Sequence, residues 1–169
     1  MCKLTNIIHA RHRTLHFRSM DAHNYTVKVA WNRDRRGMMW SPDFESHGGN
    51  GNRIEVATPP EFPGGVAGVW SPEHLLTGAV ASCFMTTFLA IAEKSKLEFI
   101  SFSCHAEGTL DTVDGKLQIT EVLLVPSICL DSADDRDKAV RVLEKTERAC
   151  PITHSLKATV NVKMVVETP

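Results

Sequence analysis

Five cysteines are the residues best equipped to do chemistry here: Cys2, Cys83, Cys104, Cys129 and Cys150. The count is odd, the spacings are wide and no CxxC occurs. That pattern argues against a secreted disulfide scaffold, a structural zinc site or a thioredoxin-type motif. A thiol attacks as its thiolate, and burial in apolar surroundings disfavours that form. Cys83 lies in the middle of "SPEHLLTGAVASCFMTTFLAIAEK", residues 71–94, the most apolar stretch of the chain. It is too far from the start of that segment to use a helix dipole, so its thiolate needs a cation brought by another element. Arginine suits the task, because its guanidinium stays charged when half-buried and can hold a carboxylate at the same time. Arg33, Arg35, Arg36 and Arg53 are the candidates. Without such a cation, Cys83 is a small packing residue. Cys104 is in phase with Ile100, Phe102 and Ala106 and reads as a core thiol, while Cys2 and Cys129 carry no signal.

The elements that must position these thiols follow from periodicity. Ser71 is a good N-cap, Pro72 suits the first helical position and Glu73 favours the positive end of the dipole. Leu75, Leu76, Ala79, Val80, Cys83, Phe84, Phe88, Ile91 and Ala92 follow the helical period, and Met85, Leu89 and Ala90 wrap the remaining surface. Such a helix is central or interfacial. Before it, "NYTVKVAW" (24–31) alternates as a strand, "NRDRRG" turns into a second strand near "MMWSPDF", and "RIEVAT" (53–58) is a third. "PPEFPGGVAG" is a loop by its Pro and Gly density. After the helix, residues 98–130 read as two strands around the Asp-Gly of "TVDGK". A second helix starts near Ser132 and ends near Pro151, with Ala139, Leu143, Thr146 and Cys150 on its inner stripe. "KATVNVKMVVE" (157–167) closes the chain as a strand. The order βββ-α-ββ-α-β gives an α+β fold rather than a doubly wound parallel sheet.

A length of 169 residues suits one domain. The division expected is a basic, histidine-rich leader over residues 1–22 and a single domain over 23–169. With 19 basic and 20 acidic residues the formal charge is −1, so no nucleic-acid or anionic-membrane partner is expected. "MCKLTNIIHA" lacks the apolar core of a signal peptide, and the polar residues Glu73, His74, Thr86, Thr87, Glu93 and Lys94 argue against a membrane span. A reducing cytoplasm is the expected compartment.

"WSPEHLLTGAVASCF" resembles the signature of the OsmC/Ohr family, N-P-E-x-L followed by small residues and C-F. Pro72, Glu73, Leu75, Cys83 and Phe84 match it, with Ser71 in place of the Asn. The family's second mark, a Cys-Pro closing the last helix, is present in "KTERACPITHSL". "PPEFPGGVAG" is similar to the Gly-rich loop of Ohr-type members, and "NRDRRG" resembles the turn that carries the family's catalytic arginine, placing it on Arg33. The resemblance covers about residues 23–166.

It implies an OsmC-like intertwined homodimer that reduces peroxides, organic hydroperoxides above all, in the response to oxidative stress. Cys83 would be the peroxidatic cysteine and Cys150 the resolving one, with Arg33 stabilising the thiolate and Glu73 orienting Arg33. No bound cofactor or metal is implied, only an external dithiol reductant of the lipoyl type. Attack on the distal peroxide oxygen leaves a sulfenic acid, which a nearby thiol captures as a disulfide before it over-oxidises. Phe84, Phe88, Met85 and Trp70 would form an apolar wall for a lipid-like substrate.

Three other readings compete. One is a non-catalytic member that senses redox state or binds a ligand. Another is a cysteine hydrolase or transferase with His74 or His154 as base. The third is metal binding by His9, His12 and His16, which share one helical face, or at the Cys104-His105 pair.

Overall fold

The computed structural model describes residues 22–47 and 52–168. The leader, and with it His9, His12 and His16, therefore lies outside the described residues. Strands β1 (Lys28–Arg33), β2 (Arg36–Trp40) and β3 (Ile54–Ala57) form an antiparallel three-stranded sheet. Helix α1 (Pro72–Lys94) follows, then the long hairpin of β4 (Ser101–Val113) and β5 (Lys116–Cys129). Helices α2 (Arg136–Ala149) and α3 (Pro151–His154) precede β6 (Thr159–Val162) and β7 (Val165–Glu167). Both last strands run parallel to β5, on the edge away from β4.

The expected element order is present, with three differences. The first strand begins at Lys28 rather than at Asn24. Its partner β2 ends at Trp40, opposite Lys28, so earlier residues have no strand to pair with. The Thr26 backbone bonds instead to side chains beyond β2, accepting from Ser41 Oγ at 2.7 Å and donating to Asp43 at 3.2 Å. The last strand is split in two, at the level of Pro126 in β5, which has no N–H to donate to a ladder. The chain also makes one extra helical turn, α3, beginning at Pro151. Proline ends α2 but suits the first position of a new helix.

The core is built by α1, α2 and β5. Along α1 the fully buried residues are Val80, Phe84, Phe88 and Ala92, one every four positions on a single face. They meet Val122, Leu124, Ile128 and Leu130 of the β5 region and Ala139, Val142 and Leu143 of α2. Phe88 stacks on Phe102 of β4 with centroids 4.4 Å apart and meets Phe99 edge-on. The β4–β5 turn places Asp114 and Gly115 at φ of 50° and 74°, the conformation that makes Asp-Gly a hairpin turn. By length and composition α1 could cross a membrane. In this fold it packs against β4 and α2.

The first sheet stands apart from this body. Among the described residues, β1 to β3 make no extensive contact with α1, α2 or β4 to β7. Their link to the body is a parallel bridge between Val56 and Trp70, where Ala57 N–H donates to the Trp70 carbonyl at 2.9 Å.

Candidate active site

Ser71, fully buried, caps α1 by accepting from the His74 N–H at 3.3 Å. Its Oγ also lies 2.8 Å from His74 Nδ1, and Trp70 meets the His74 ring edge-on. From this fixed start the helix carries Cys83 into its middle, beside the stripe that faces the core. At the far end of the chain, α2 buries Ala139, Leu143 and Thr146 and delivers Cys150 to its C-terminal end, fully buried. Cys150 then serves as N-cap of α3, with Pro151 as the first helical residue.

These two packings bring Cys83 and Cys150 together. Their Sγ atoms are 3.0 Å apart, both are free thiols, and only Cys83 keeps partial exposure. Their environments differ. Burial first, then the hydrogen bond to Cys150, push the Cys83 thiol up; the Ile152 backbone opposes them, the charge of Cys150 adds to them, and Thr87 opposes least. Cys150 goes the other way. Burial alone would raise it, but bonds from the Thr153 side chain, Cys83 and the Thr153 and Ile152 backbone bring it below the ordinary thiol value.

The remaining site residues are placed as follows. Glu73 has its Oε2 buried with no hydrogen-bond partner among the described residues. It lines a cavity of about 580 Å³ with Pro59, Phe62, Trp70, Thr77 and Gly108, among others. Arg33 is exposed at the hairpin end of β1, paired in register with Arg36, and among the described residues no arginine acts on Cys83. Arg36 is engaged by Glu55 at 2.8 Å and Arg53 lies over the Trp40 ring. Arg35 is the arginine that reaches the Gly-rich loop: a Cβ on Gly64 would lie 3.2 Å from its Cγ. The expected apolar wall divides. Phe84 and Phe88 are sealed into the core, whereas Trp70 and Met85 are exposed. Neighbouring residues on a helix point about 100° apart, so Phe84 cannot share the direction of Cys83. The histidines a hydrolase would need are engaged elsewhere, His74 with Ser71 and His154 Nε2 with the Arg148 carbonyl at 2.9 Å.

Residues 65–165 match the OsmC-like protein family. The chain belongs to the OsmC-like family. In sequence the chain is similar to the uncharacterized protein YmaD of Bacillus subtilis (strain 168), 28% identical over 151 residues, which span 86% of this chain and 94% of that one. The fold is shared with an OsmC-like protein of unknown function from Vibrio cholerae, at a TM-score of 0.74 and 22% identity over 85% of this chain and all (100%) of that one. It is also shared with an organic hydroperoxide resistance protein OsmC from Legionella pneumophila, at 0.65 and 23%, covering 86% and 97% of the two chains. The organic hydroperoxide resistance protein OhrB of Bacillus subtilis follows at 0.61 and 21%, covering 86% and 98%.

Sequence reasoning missed the hydroxyls of Thr87 and Thr153. Both had a signal. Thr87 is four residues after Cys83, on the same helical face. Thr153 is the third residue of the helix whose N-cap is Cys150, although Cys150 makes no side-chain cap hydrogen bond there.

Proposed function

We propose that this OsmC-like protein is a cytoplasmic thiol peroxidase that reduces organic hydroperoxides to alcohols. Cys83 attacks, Cys150 resolves the sulfenic acid as an intramolecular disulfide, and an external dithiol reopens it. The observation that carries the reading is the Cys83–Cys150 contact, 3.0 Å between sulfurs, with the more accessible thiol on Cys83. A disulfide needs only a short further approach of the two sulfurs, not a rearrangement of helices. The names of the Legionella and Bacillus neighbours agree with the substrate class.

The active unit in this reading is a homodimer. Support comes from β1, whose six residues are all exposed, and from the apolar row Tyr25, Val27, Val29 and Trp31, each more than half exposed. Met85 and Leu89 of α1 are exposed too. A second copy covering these faces also offers a guanidinium to the unpartnered Glu73 and to Cys83. Arg33 and Arg35 are the two candidates for that guanidinium. The one whose replacement by alanine slows peroxide consumption and moves the pH midpoint of Cys83 alkylation upward is the activating arginine; no change with either variant removes arginine from the mechanism.

Intact mass after one equivalent of cumene hydroperoxide tests the two thiols. The reduced protein should lose about 2 Da to a disulfide, whereas Cys150→Ser should gain about 16 Da, and about 32 Da with excess peroxide. Cys83→Ser should consume no peroxide. A Cys150→Ser protein that still forms a Cys83 disulfide with Cys104 or Cys129 at the original speed overturns the role of Cys150. A non-catalytic redox sensor is the second reading, favoured by the raised Cys83 thiol. It predicts one oxidation per chain and no turnover with dithiol.

A further inference from the structure

Four arginines lie in or beside the first sheet, Arg33, Arg35, Arg36 and Arg53. Arg36 is paired with Glu55 at 2.8 Å, and Arg53 lies over the Trp40 ring. Arg35, in the β1–β2 turn, is engaged differently, through its hydrocarbon stem. Gly64 has a φ of +76°, and a Cβ built on it would meet Arg35 Cγ at 3.2 Å, Nε at 3.5 Å and Cδ at 4.0 Å. Among the described residues no ion pair holds the Arg35 guanidinium, so the packing falls to the stem, as a long basic side chain allows. Arg33 is exposed, and among the described residues it forms no ion pair either.

The loop that Arg35 touches is a unit of its own. The Val66 N–H donates to the Thr58 carbonyl at 2.9 Å and closes its neck. Inside it, the Phe62 and Gly65 N–H groups donate to the Pro59 and Phe62 carbonyls at 3.1 and 2.8 Å. Joined ends and internal packing are the build of an Ω-loop. Its residues Pro59, Glu61 and Phe62 line the same cavity as Glu73, whose Oε2 is buried without a partner among the described residues. Two contacts tie this loop to the β1–β2 turn. The Thr58 N–H donates to the Arg35 carbonyl at 3.1 Å, and the Arg35 stem crosses Gly64.

We propose that Arg35 is a positioning residue that acts through its stem. It clamps the 58–66 loop to the β1–β2 turn, so that the wall of the Glu73 cavity and the turn that carries Arg33 move as one piece. Arg33 is then the guanidinium left for the reaction, and the clamp fixes where it stands. The effect on turnover rests on the peroxidase reading; the clamp itself does not.

Alanine at position 35 removes stem and charge together, whereas methionine removes the charge and keeps an unbranched stem. Amide hydrogen exchange of the full chain, followed by mass spectrometry, reads the clamp without peroxide. Arg35→Ala should speed exchange of residues 58–66 by about tenfold, the scale of one or two buried methylenes, and Arg35→Met should restore most of the protection. Gly64→Ala should lower the melting temperature less in the Arg35→Ala background than in the unaltered chain, because its conflict with the stem is gone. Turnover and the pH midpoint of Cys83 alkylation should follow the stem as well. Arg35→Ala should slow peroxide consumption by about 10- to 100-fold, the cost of a small misplacement, and raise the midpoint. Arg35→Met should recover towards the original in both, while Arg33→Met should be as slow as Arg33→Ala, since there the charge is what counts. Equal exchange in Arg35→Ala and Arg35→Met, or additive melting shifts, overturns the clamp. If Arg35→Ala does not fold, Arg35→Met decides alone, and loss of loop protection in it overturns the clamp. Intact protection with Arg35→Met as slow as Arg35→Ala gives the activating charge to Arg35 and overturns the positioning role. Protection that follows the stem in a chain that consumes no peroxide leaves the clamp standing and ends the peroxidase reading.

Discussion

The three-stranded sheet and the helix–sheet body of this chain are stabilised in different ways. The body encloses Phe84, Phe88, Leu124, Ile128 and Leu143 at 1% exposure or less, and it alone makes the Cys83–Cys150 contact. The sheet leaves Trp31 at 77% exposure and the segment leading into it leaves Tyr25 at 88%, and among the described residues a bridge between Val56 and Trp70 ties the sheet to the body. Apolar burial is the main favourable term in folding, so the body has the means to fold as a unit while the sheet depends on cover from elsewhere. The thiol pair belongs to the self-sufficient region. The arginines belong to the dependent one. In the proposed peroxidase this divides the labour: one chain builds the two thiols, and assembly supplies the cation.

The comparison can be broken first in the body. Phe88→Ala removes the ring that stacks on Phe102 and should cost about 3–5 kcal/mol in urea unfolding, with loss of the disulfide-forming contact. A cost below about 1 kcal/mol would show that the core does not hold α1 in place. At the junction between the two regions, Gly65 has space for no side chain, because a Cβ there would lie 2.0 Å from the Pro59 carbonyl oxygen. Gly65→Ala should cost about 1–3 kcal/mol, read as a lowered melting temperature. The sheet responds otherwise. Trp31→Ser should leave the unfolding of the body within about 0.5 kcal/mol, yet shift sedimentation from dimer to monomer. A folded monomer of the unaltered chain at micromolar concentration would remove the need for a second copy. Smallest of all, Arg36→Gln breaks the half-exposed pair with Glu55 and should change stability by about 1 kcal/mol or less.

The pH response sharpens the same contrast. Cys104, half-buried on β4, is pushed up by burial, as is Cys83. Both are protonated below their raised values, so iodoacetamide should label each slowly at neutral pH and faster as pH rises through them. Only for Cys83 should labelling change when Cys150 is replaced by serine. An equal change at Cys104 would mean that the variant disturbs the body as a whole.

Much of this was written in local sequence. The Ser71-Pro72-Glu73 start of α1, the Asp114-Gly115 turn and the inner stripe ending at Cys150 each depend on a few adjacent residues, and the structure has them where those residues demand. The two cysteine motifs pointed to the family as well. What local pattern could not decide was direction. That Phe84 and Phe88 face inward while Cys83 keeps some exposure depends on which side of α1 receives β4 and α2. The pairing of thiols 67 residues apart depends on α2 docking against α1, a long-range packing event that no spacing encodes. The place of Cys150 depended on more still: the turn of chain after Pro151, which makes Cys150 the N-cap of α3 while its sulfur stays 3.0 Å from that of Cys83. Electrostatics at a sulfur is set by atoms a few ångströms away, and only the tertiary structure says which atoms those are.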